Sequence, residues 1–291
     1  MQHNPPVQSR LVAAAAQFDI HLLDPAYNID TICRLAREAR QELQADLVVF
    51  PEAAVAGYCF SSAAEVAQAA IRSDGPEIQR LKELAHQLQL SLVFGTVEQD
   101  GGQFYNTAFF LEPDGALHRY RKAHLPLLGL DKYVTGGNEF AVFDTRFGKV
   151  GLIICYDLRF PEPFRQLALQ GARLIIQPTN LPVGGESHLD FLGRARACEN
   201  RVYLISCNRC GEERGFRFIG RSQIVDLGGQ VLCEAGSGEQ TICASLDLSR
   251  SEQKDIIVIP NEYETHIFSD RRPELYTCLT QPTDQWGFVK P

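Results

Sequence analysis

The chain has 291 residues, is 45% hydrophobic and 22% charged, and carries a formal net charge of −8. An acidic balance with only isolated basic pairs, Arg121-Lys122 and Arg271-Arg272, argues against a nucleic-acid surface. The lack of any run of 18 apolar residues argues against a transmembrane helix. Met1–Arg10 lacks the charged start and apolar middle of a secretion signal. The nine cysteines show no framework spacing, so they read as reduced thiols in a cytoplasmic protein.

In chain order, residues 1–9 read as a flexible start, and Leu11–Gln17 is a short apolar run that fits a buried strand. Asn28–Leu43 carries Ile29, Ile32, Leu35, Ala36, Ala39 and Leu43 at helical spacing. Asp46–Phe50 is a second buried strand, Pro76–Leu88 a helix and Ser91–Val97 a third strand. Tyr105–Leu111 and Ala116–Arg121 flank the turn Pro113-Asp114-Gly115 as a hairpin. Lys149–Ile154 is a strand, and Glu162–Gln170 a helix with Pro161 in its first turn. Leu174–Gln177 and Val202–Ser206 read as strands around a helix at Leu189–Asn200. Ser222–Asp226 and Gln230–Cys233 form a further hairpin, followed by a strand at Thr241–Leu246. Apolar strands mixed with alternating hairpin strands imply mixed sheets covered by helices. The body is expected over 10–255. The aromatic, proline-punctuated tail 256–291, with Tyr263, Phe268, Tyr276 and Trp286, is expected to pack on the body or on a second subunit. Cys33, Cys198 and Cys243 are expected to be small core residues.

Three segments carry chemistry. Glu52 follows an apolar strand and a proline, where poor access to water raises a carboxyl pKa towards that of a general base. Lys122 ends a hairpin strand, where an ammonium can stabilise an oxyanion. Cys155 ends a buried strand shortly before a helix, a place for an exposed thiol faced by backbone N–H groups. A positive neighbour there is expected to lower the thiol pKa and make thiolate available near neutrality. Each segment alone also has an ordinary reading: a solvated loop Glu, a surface Lys, a buried inert Cys.

Together the segments are specific. Phe50-Pro51-Glu52, Tyr120-Arg121-Lys122-Ala123-His124-Leu125 and the stretch Gly151 to Glu162 around Cys155 resemble, in order, the glutamate, lysine and cysteine motifs of the nitrilase superfamily, or carbon–nitrogen hydrolases. Tyr105-Asn106-Thr107-Ala108, Arg194 to Asn200 and Gly220 to Asp226 fit the same family, so the resemblance covers about residues 10–255. It implies an α/β fold, a four-layer α-β-β-α sandwich with two mixed β-sheets, in subunits that commonly dimerise. It implies metal-free, cofactor-free covalent catalysis: Glu52 as base, Cys155 as nucleophile, and Lys122 with the Tyr156 N–H around the oxyanion. Many members have a second glutamate before a Pro-Gly. Here Asp131 is the nearest acid, and Gly136 stands where proline is usual.

Tyr156-Asp157 after the thiol resembles amidases and carbamoyl-amide hydrolases, whereas nitrile-cleaving members usually have Trp-Glu. The expected substrate is therefore a small amide, cleaved by an aliphatic amidase or ω-amidase-like enzyme. An N-carbamoyl hydrolase comes next, a nitrilase third, and a silent binding protein of the same fold is the non-enzyme alternative. Tyr58, Tyr133, Asn180, Leu181 and His188 are expected around the substrate. Cys207-Asn208-Arg209-Cys210 is a lone C-x-x-C without further ligands for zinc, and His124 is expected to serve structure rather than chemistry.

Overall fold

The structure is a computed structural model that describes residues 8–282 and 284. The strands are β1 (Arg10–Gln17), β2 (Leu47–Val49), β3 (Ser91–Asp100), β4 (Gln103–Leu111), β5 (Leu117–Arg121), β6 (Val142–Thr145), β7 (Gly148–Leu152), β8 (Leu174–Pro178), β9 (Tyr203–Cys207), β10 (Glu212–Glu213), β11 (Phe216–Arg217), β12 (Gln223–Val225), β13 (Val231–Glu234) and β14 (Gln240–Asp247). The helices of this body are α1 (Pro25–Glu42), α2 (Ala63–Ala69), α3 (Pro76–Leu88), α4 (Pro161–Leu169) and α5 (Gly193–Asn200). Two six-stranded mixed sheets result, in the orders β14-β1-β2-β3-β4-β5 and β13-β12-β9-β8-β7-β6.

The period-2 alternation of strand side chains sets the layers. On β1, Leu11, Ala13 and Ala15 join one core with Leu152, Ile176 and Ile205 of the other sheet. Ala14 and Ala16 point the other way and pack with Ile32, Ala36 and Leu81 of α1 and α3. Small alanines on β1 thus let sheet and helices approach closely. Helix α1 starts where Asp24 accepts the Tyr27 N–H and Pro25 fixes the first turn. The two mixed sheets with helices are the α/β sandwich expected, and β7, β8 and β9 run parallel, so their carboxyl ends share one edge.

Several boundaries differ from the sequence reading. The strand expected at Lys149–Ile154 ends at Leu152, because the Ile154 N–H turns away to Asp157 Oδ2. The helix expected from Leu189 begins as a π-helical turn, His188–Leu192. Helix α2 and edge strand β6 were not anticipated; both are short, and β6 pairs on one side only. Of the three cysteines expected in the core, Cys33 is buried and Cys243 is half-buried. Cys198 is exposed, because on α5 it lies off the face that buries Arg196, Ala197 and Asn200.

The chain separates into two compact units, 1–252 and 253–291. The second contains a hairpin of β15 (Ile256–Ile259) and β16 (Tyr263–Thr265) followed by two short 3-10 turns. Its Ile256, Ile257, Val258 and Ile259 are all exposed. Trp286 and most of the segment 1–9 lie outside the described residues.

Candidate active site

Glu52 leaves the end of β2 through Pro51, on a backbone pressed against β3 at Gly95. The Gly95 N–H donates to the Pro51 carbonyl at 3.0 Å. A Cβ on Gly95 would lie 2.3 Å from the Ala53 nitrogen and 2.6 Å from Glu52 Cα, so only glycine permits this approach. Glu52 is fully buried. Its Oε1 accepts from Lys122 Nζ at 2.8 Å and from Asn106 Nδ2 at 2.7 Å. Its Oε2 is buried without a hydrogen-bond partner. One carboxylate oxygen is therefore anchored and the other is free.

Lys122 follows β5, where its N–H donates to the Asn106 carbonyl at 2.8 Å. Its ammonium reaches Asp131 Oδ2 at 2.5 Å as well as Glu52. An ammonium has three donors, so one remains for another acceptor. Asp131 also accepts from Tyr58 OH at 2.7 Å and from Asn106 Nδ2 at 2.8 Å. Asp131, the nearest acid to the place of the missing second glutamate, thus lies against the ammonium, and the Asn106 amide bridges both carboxyl groups.

Cys155 begins a 3-10 turn, Cys155–Arg159, immediately beyond β7. Its φ of 44° is in the left-handed region, a strained conformation for a side-chain-bearing residue that the surroundings must hold in place. Asp157 supplies that hold. Its Oδ2 accepts the Ile154 N–H at 2.9 Å and the Tyr120 hydroxyl at 2.7 Å. Its Oδ1 accepts the His124 N–H at 3.1 Å and pairs with His124 Nδ1 at 2.8 Å. The His124 ring stacks on Phe160 with centroids 3.8 Å apart. One buried carboxylate therefore ties the cysteine turn to the lysine segment. Gln177 Nε2 caps the Cys155 carbonyl at 3.0 Å. The sulfur is not open to solvent: Cys155 is only 9% exposed.

The charges of these groups interact. Burial, reinforced by Asp131, pushes the Glu52 carboxyl above its ordinary value even though Lys122 and Asn106 oppose the rise. Burial works against the Lys122 ammonium, but Asp131 and Glu52 outweigh it and hold its pKa well above the usual range. Burial, followed by Glu52, pushes the Cys155 thiol up to about 12. Lys122, the Thr179 hydroxyl and the Asn180 N–H act in the opposite direction without prevailing. This corrects the expectation of a lowered thiol pKa: the positive neighbour is present, but it is already neutralised by two carboxylates. At rest the site therefore holds a neutral thiol beside an ammonium.

The remaining expected residues fall as follows. Tyr58 is buried beside the site, its hydroxyl kept protonated by burial and Asp131 and its ring 5.7 Å from Lys122 Nζ. Asn180 Nδ2 donates to the Glu52 carbonyl at 2.9 Å, while its Oδ1 is buried without a partner. Leu181 is buried in the same apolar cluster as Cys155. Tyr133 donates to the Ser61 carbonyl at 2.7 Å and packs near Tyr58 and Leu130. His188 is buried; burial and then Arg159 lower its pKa to about 4, leaving a neutral ring whose Nε2 has no partner. Sequence reasoning did not single out Gln177 and Thr179, near the end of β8 and just beyond it, or the supporting part played by Asp157. Asn106 stood within a motif quoted only as a resemblance.

A thiol, a carboxylate with a free oxygen and an ammonium gathered in one buried place form the equipment of a covalent, nucleophilic hydrolase. A family model, carbon-nitrogen hydrolase, matches residues 12–254, and the chain belongs to that family. A "Nitrilase" of Pyrococcus abyssi is 37% identical over 90% of this chain and 98% of its own. An omega-amidase of Mus musculus is 32% identical over 86% of this chain and 91% of its own. An amidase from Nesterenkonia sp. superposes with a TM-score of 0.77 at 28% identity, covering 92% of this chain and 96% of the other. In a mutant of that amidase (TM-score 0.76, 28% identity, 92% and 97% covered), the acetamide moiety of fluoroacetamide is covalently added at the active-site cysteine.

Proposed function

We propose that the protein hydrolyses the C–N bond of small aliphatic amides, in the manner of an aliphatic amidase or ω-amidase, through a thioester on Cys155. The observation that carries this reading is the asymmetry of Glu52, with Oε1 fixed by Lys122 and Asn106 and Oε2 free and buried. Glu52 Oε2 takes the thiol proton as sulfur attacks the amide carbon, forming the C–S bond and moving the carbonyl π electrons onto oxygen. The third Lys122 donor and the Tyr156 N–H stabilise that oxygen. The C–N bond then breaks with the proton delivered from Glu52 to nitrogen, and ammonia leaves. Glu52 next deprotonates a water that attacks the thioester. The C–S bond breaks, sulfur regains its proton, and the acid is released. Asp131 holds the ammonium in place and, through its negative charge, keeps the base strong.

A nearly enclosed sulfur favours small substrates. The buried unpartnered atoms of Asn180 and His188, and Tyr58 beside Asp131, support a role for these residues in orienting them. The test is ammonia release from propionamide, glutaric monoamide, N-carbamoyl-β-alanine and propionitrile. The reading expects turnover of the amides, lost in Cys155→Ala. Turnover of the nitrile or carbamoyl compound alone would transfer it to those classes, and no turnover would favour a silent binding protein. The nine free cysteines support a reducing, cytoplasmic setting, and no helix among the described residues is long and apolar enough to cross a membrane. We further propose a homodimer, supported by the family resemblance and by the exposed apolar strand β15 in the second unit; light scattering would show a single subunit mass if this is wrong.

A further inference from the structure

A buried ion pair outside the reacting groups is connected to them through one residue. Arg209, beyond β9, has a fully buried side chain, and Glu213 on β10 is 3% exposed; Nη1 meets Oε2 at 2.6 Å. The guanidinium also bonds Asp19 Oδ1 and the Ile20 carbonyl, both at 2.9 Å, and lies 4.3 Å over the Phe218 ring. The free oxygen of Glu213, Oε1, accepts two consecutive backbone donors, the N–H of Tyr58 at 2.9 Å and of Cys59 at 2.5 Å, some 155 residues away in sequence for Tyr58. Tyr58 is held at three further points. Its carbonyl accepts the N–H of Leu130, the residue before Asp131, at 2.7 Å, and also that of Phe60 at 2.9 Å. Its hydroxyl donates to Asp131 Oδ2, the same oxygen that accepts Lys122 Nζ.

We propose that Glu213, locked by Arg209, is a positioning residue of the reaction, fixing the Tyr58 peptide so that its hydroxyl stays on Asp131 and Lys122 stays divided between Asp131 and Glu52. A buried ion pair is weak evidence for stability, since apolar residues of the same volume often serve as well. What an apolar pair cannot supply is a charged acceptor aimed at two adjacent N–H groups. Convergence of both donors on one oxygen fixes the orientation of the peptide that carries the Tyr58 ring. If that hold slackens, the hydroxyl leaves an oxygen shared with the ammonium, and the third Lys122 donor no longer points where an oxyanion forms. The chain of contacts therefore runs from Glu213 through Tyr58 and Asp131 to Lys122.

This inference rests on the roles proposed for Lys122 and Asp131, and a double-mutant cycle separates the two. Glu213→Gln keeps a carbonyl acceptor but removes the charge; Tyr58→Phe removes the hydroxyl. E213Q is expected to lower kcat about 10- to 100-fold, the scale of a small misplacement of catalytic groups, with KM changed by less than about threefold. In the Y58F background the same change is expected to cost less than about twofold further, because the path through the hydroxyl is already cut. Independent, multiplying effects would overturn the proposal. If E213Q does not fold, Glu213→Asp, which keeps the charge beside Arg209 and retracts it from the peptide, takes its place in the cycle. The rate of Cys155 alkylation by iodoacetamide across pH gives the same cycle without turnover. If the wild type cleaves no amide yet alkylation still couples Glu213 to Tyr58, the functional reading fails and the positioning role stands. If amide cleavage depends on Cys155 but neither cycle shows coupling, the positioning role fails alone.

Discussion

Gly95 offers a test in which a single methyl group acts on the backbone of Glu52, the proposed base. In Gly95→Ala the new Cβ would sit 2.3 Å from the Ala53 nitrogen and 2.6 and 2.7 Å from Glu52 Cα and C. All three are backbone atoms, so no side-chain rotation relieves the contact. Restoring an ordinary separation requires a displacement of about 1 Å, carried directly by the residue proposed as the base, and a shift of that size costs roughly 100-fold in rate. Overpacking of this kind also costs about 1–3 kcal/mol of stability, or roughly 2–4 °C in Tm per kcal/mol for a domain of this size. The assay is kcat for ammonia release beside calorimetric Tm, with Gly238→Ala, where nothing lies within 4 Å of the new Cβ, as the silent control. G95A is expected to fold, to retain Cys155, and to lose kcat far more than stability. A G95A enzyme with wild-type kcat would refute the claim that the Glu52 backbone must stand where β3 places it.

Other perturbations read other parts of the site. Because burial, with Asp131, raises the Glu52 carboxyl, its base form is lost as pH falls through a value above the ordinary ~4.3. The acid limb of kcat/KM should therefore lie above the usual carboxylate range and move down in Asp131→Asn; an unmoved limb would separate Asp131 from the base. Asp157→Asn replaces an acceptor of two donors with an amide N–H₂, leaving buried groups unpaired at about 1–3 kcal/mol each; a clear fall in Tm and a slower, less selective alkylation of Cys155 are expected, and an unchanged protein would show that the turn holds itself. His188 has a folded pKa lowered to about 4 from 6.5, so its stabilising contribution is present above the unfolded value and is lost as pH falls from about 6.5 towards 4. The linkage amounts to roughly 3 kcal/mol, and urea melts at pH 7.5 and 4.5 should show a smaller difference in His188→Gln than in the wild type.

The candidate residues Glu52, Lys122 and Cys155 stood out because a charged or nucleophilic side chain at the end of an apolar strand is conspicuous, and because the three segments occur in a family order. Mixed sheets covered by helices were legible from apolar strands mixed with alternating ones, and the four layers from the family resemblance; that β1 divides its alanines between two cores was hidden in a run of small apolar residues. What the sequence hid was the balance of forces. The same Lys122 that suggests a lowered thiol pKa is spent on Glu52 and Asp131, and burial then sends the Cys155 thiol upward. Partnerships across long separations were hidden as well. Nothing near Asn106 says that its amide spans two carboxylates, and nothing near Glu213 says that it grips the Tyr58 peptide. Short elements such as α2 and β6 hold too few residues for a period to show.

The most direct measurement of the central claim is rapid acid quenching of the enzyme during turnover of propionamide, with peptide mass mapping. A propionyl mass increment on the peptide containing Cys155 is expected, building up in Glu52→Gln if deacylation slows more than acylation, and absent from Cys155→Ala, which should release no ammonia. Ammonia released at the wild-type rate by C155A, with no acylated peptide at any time point, would contradict the account.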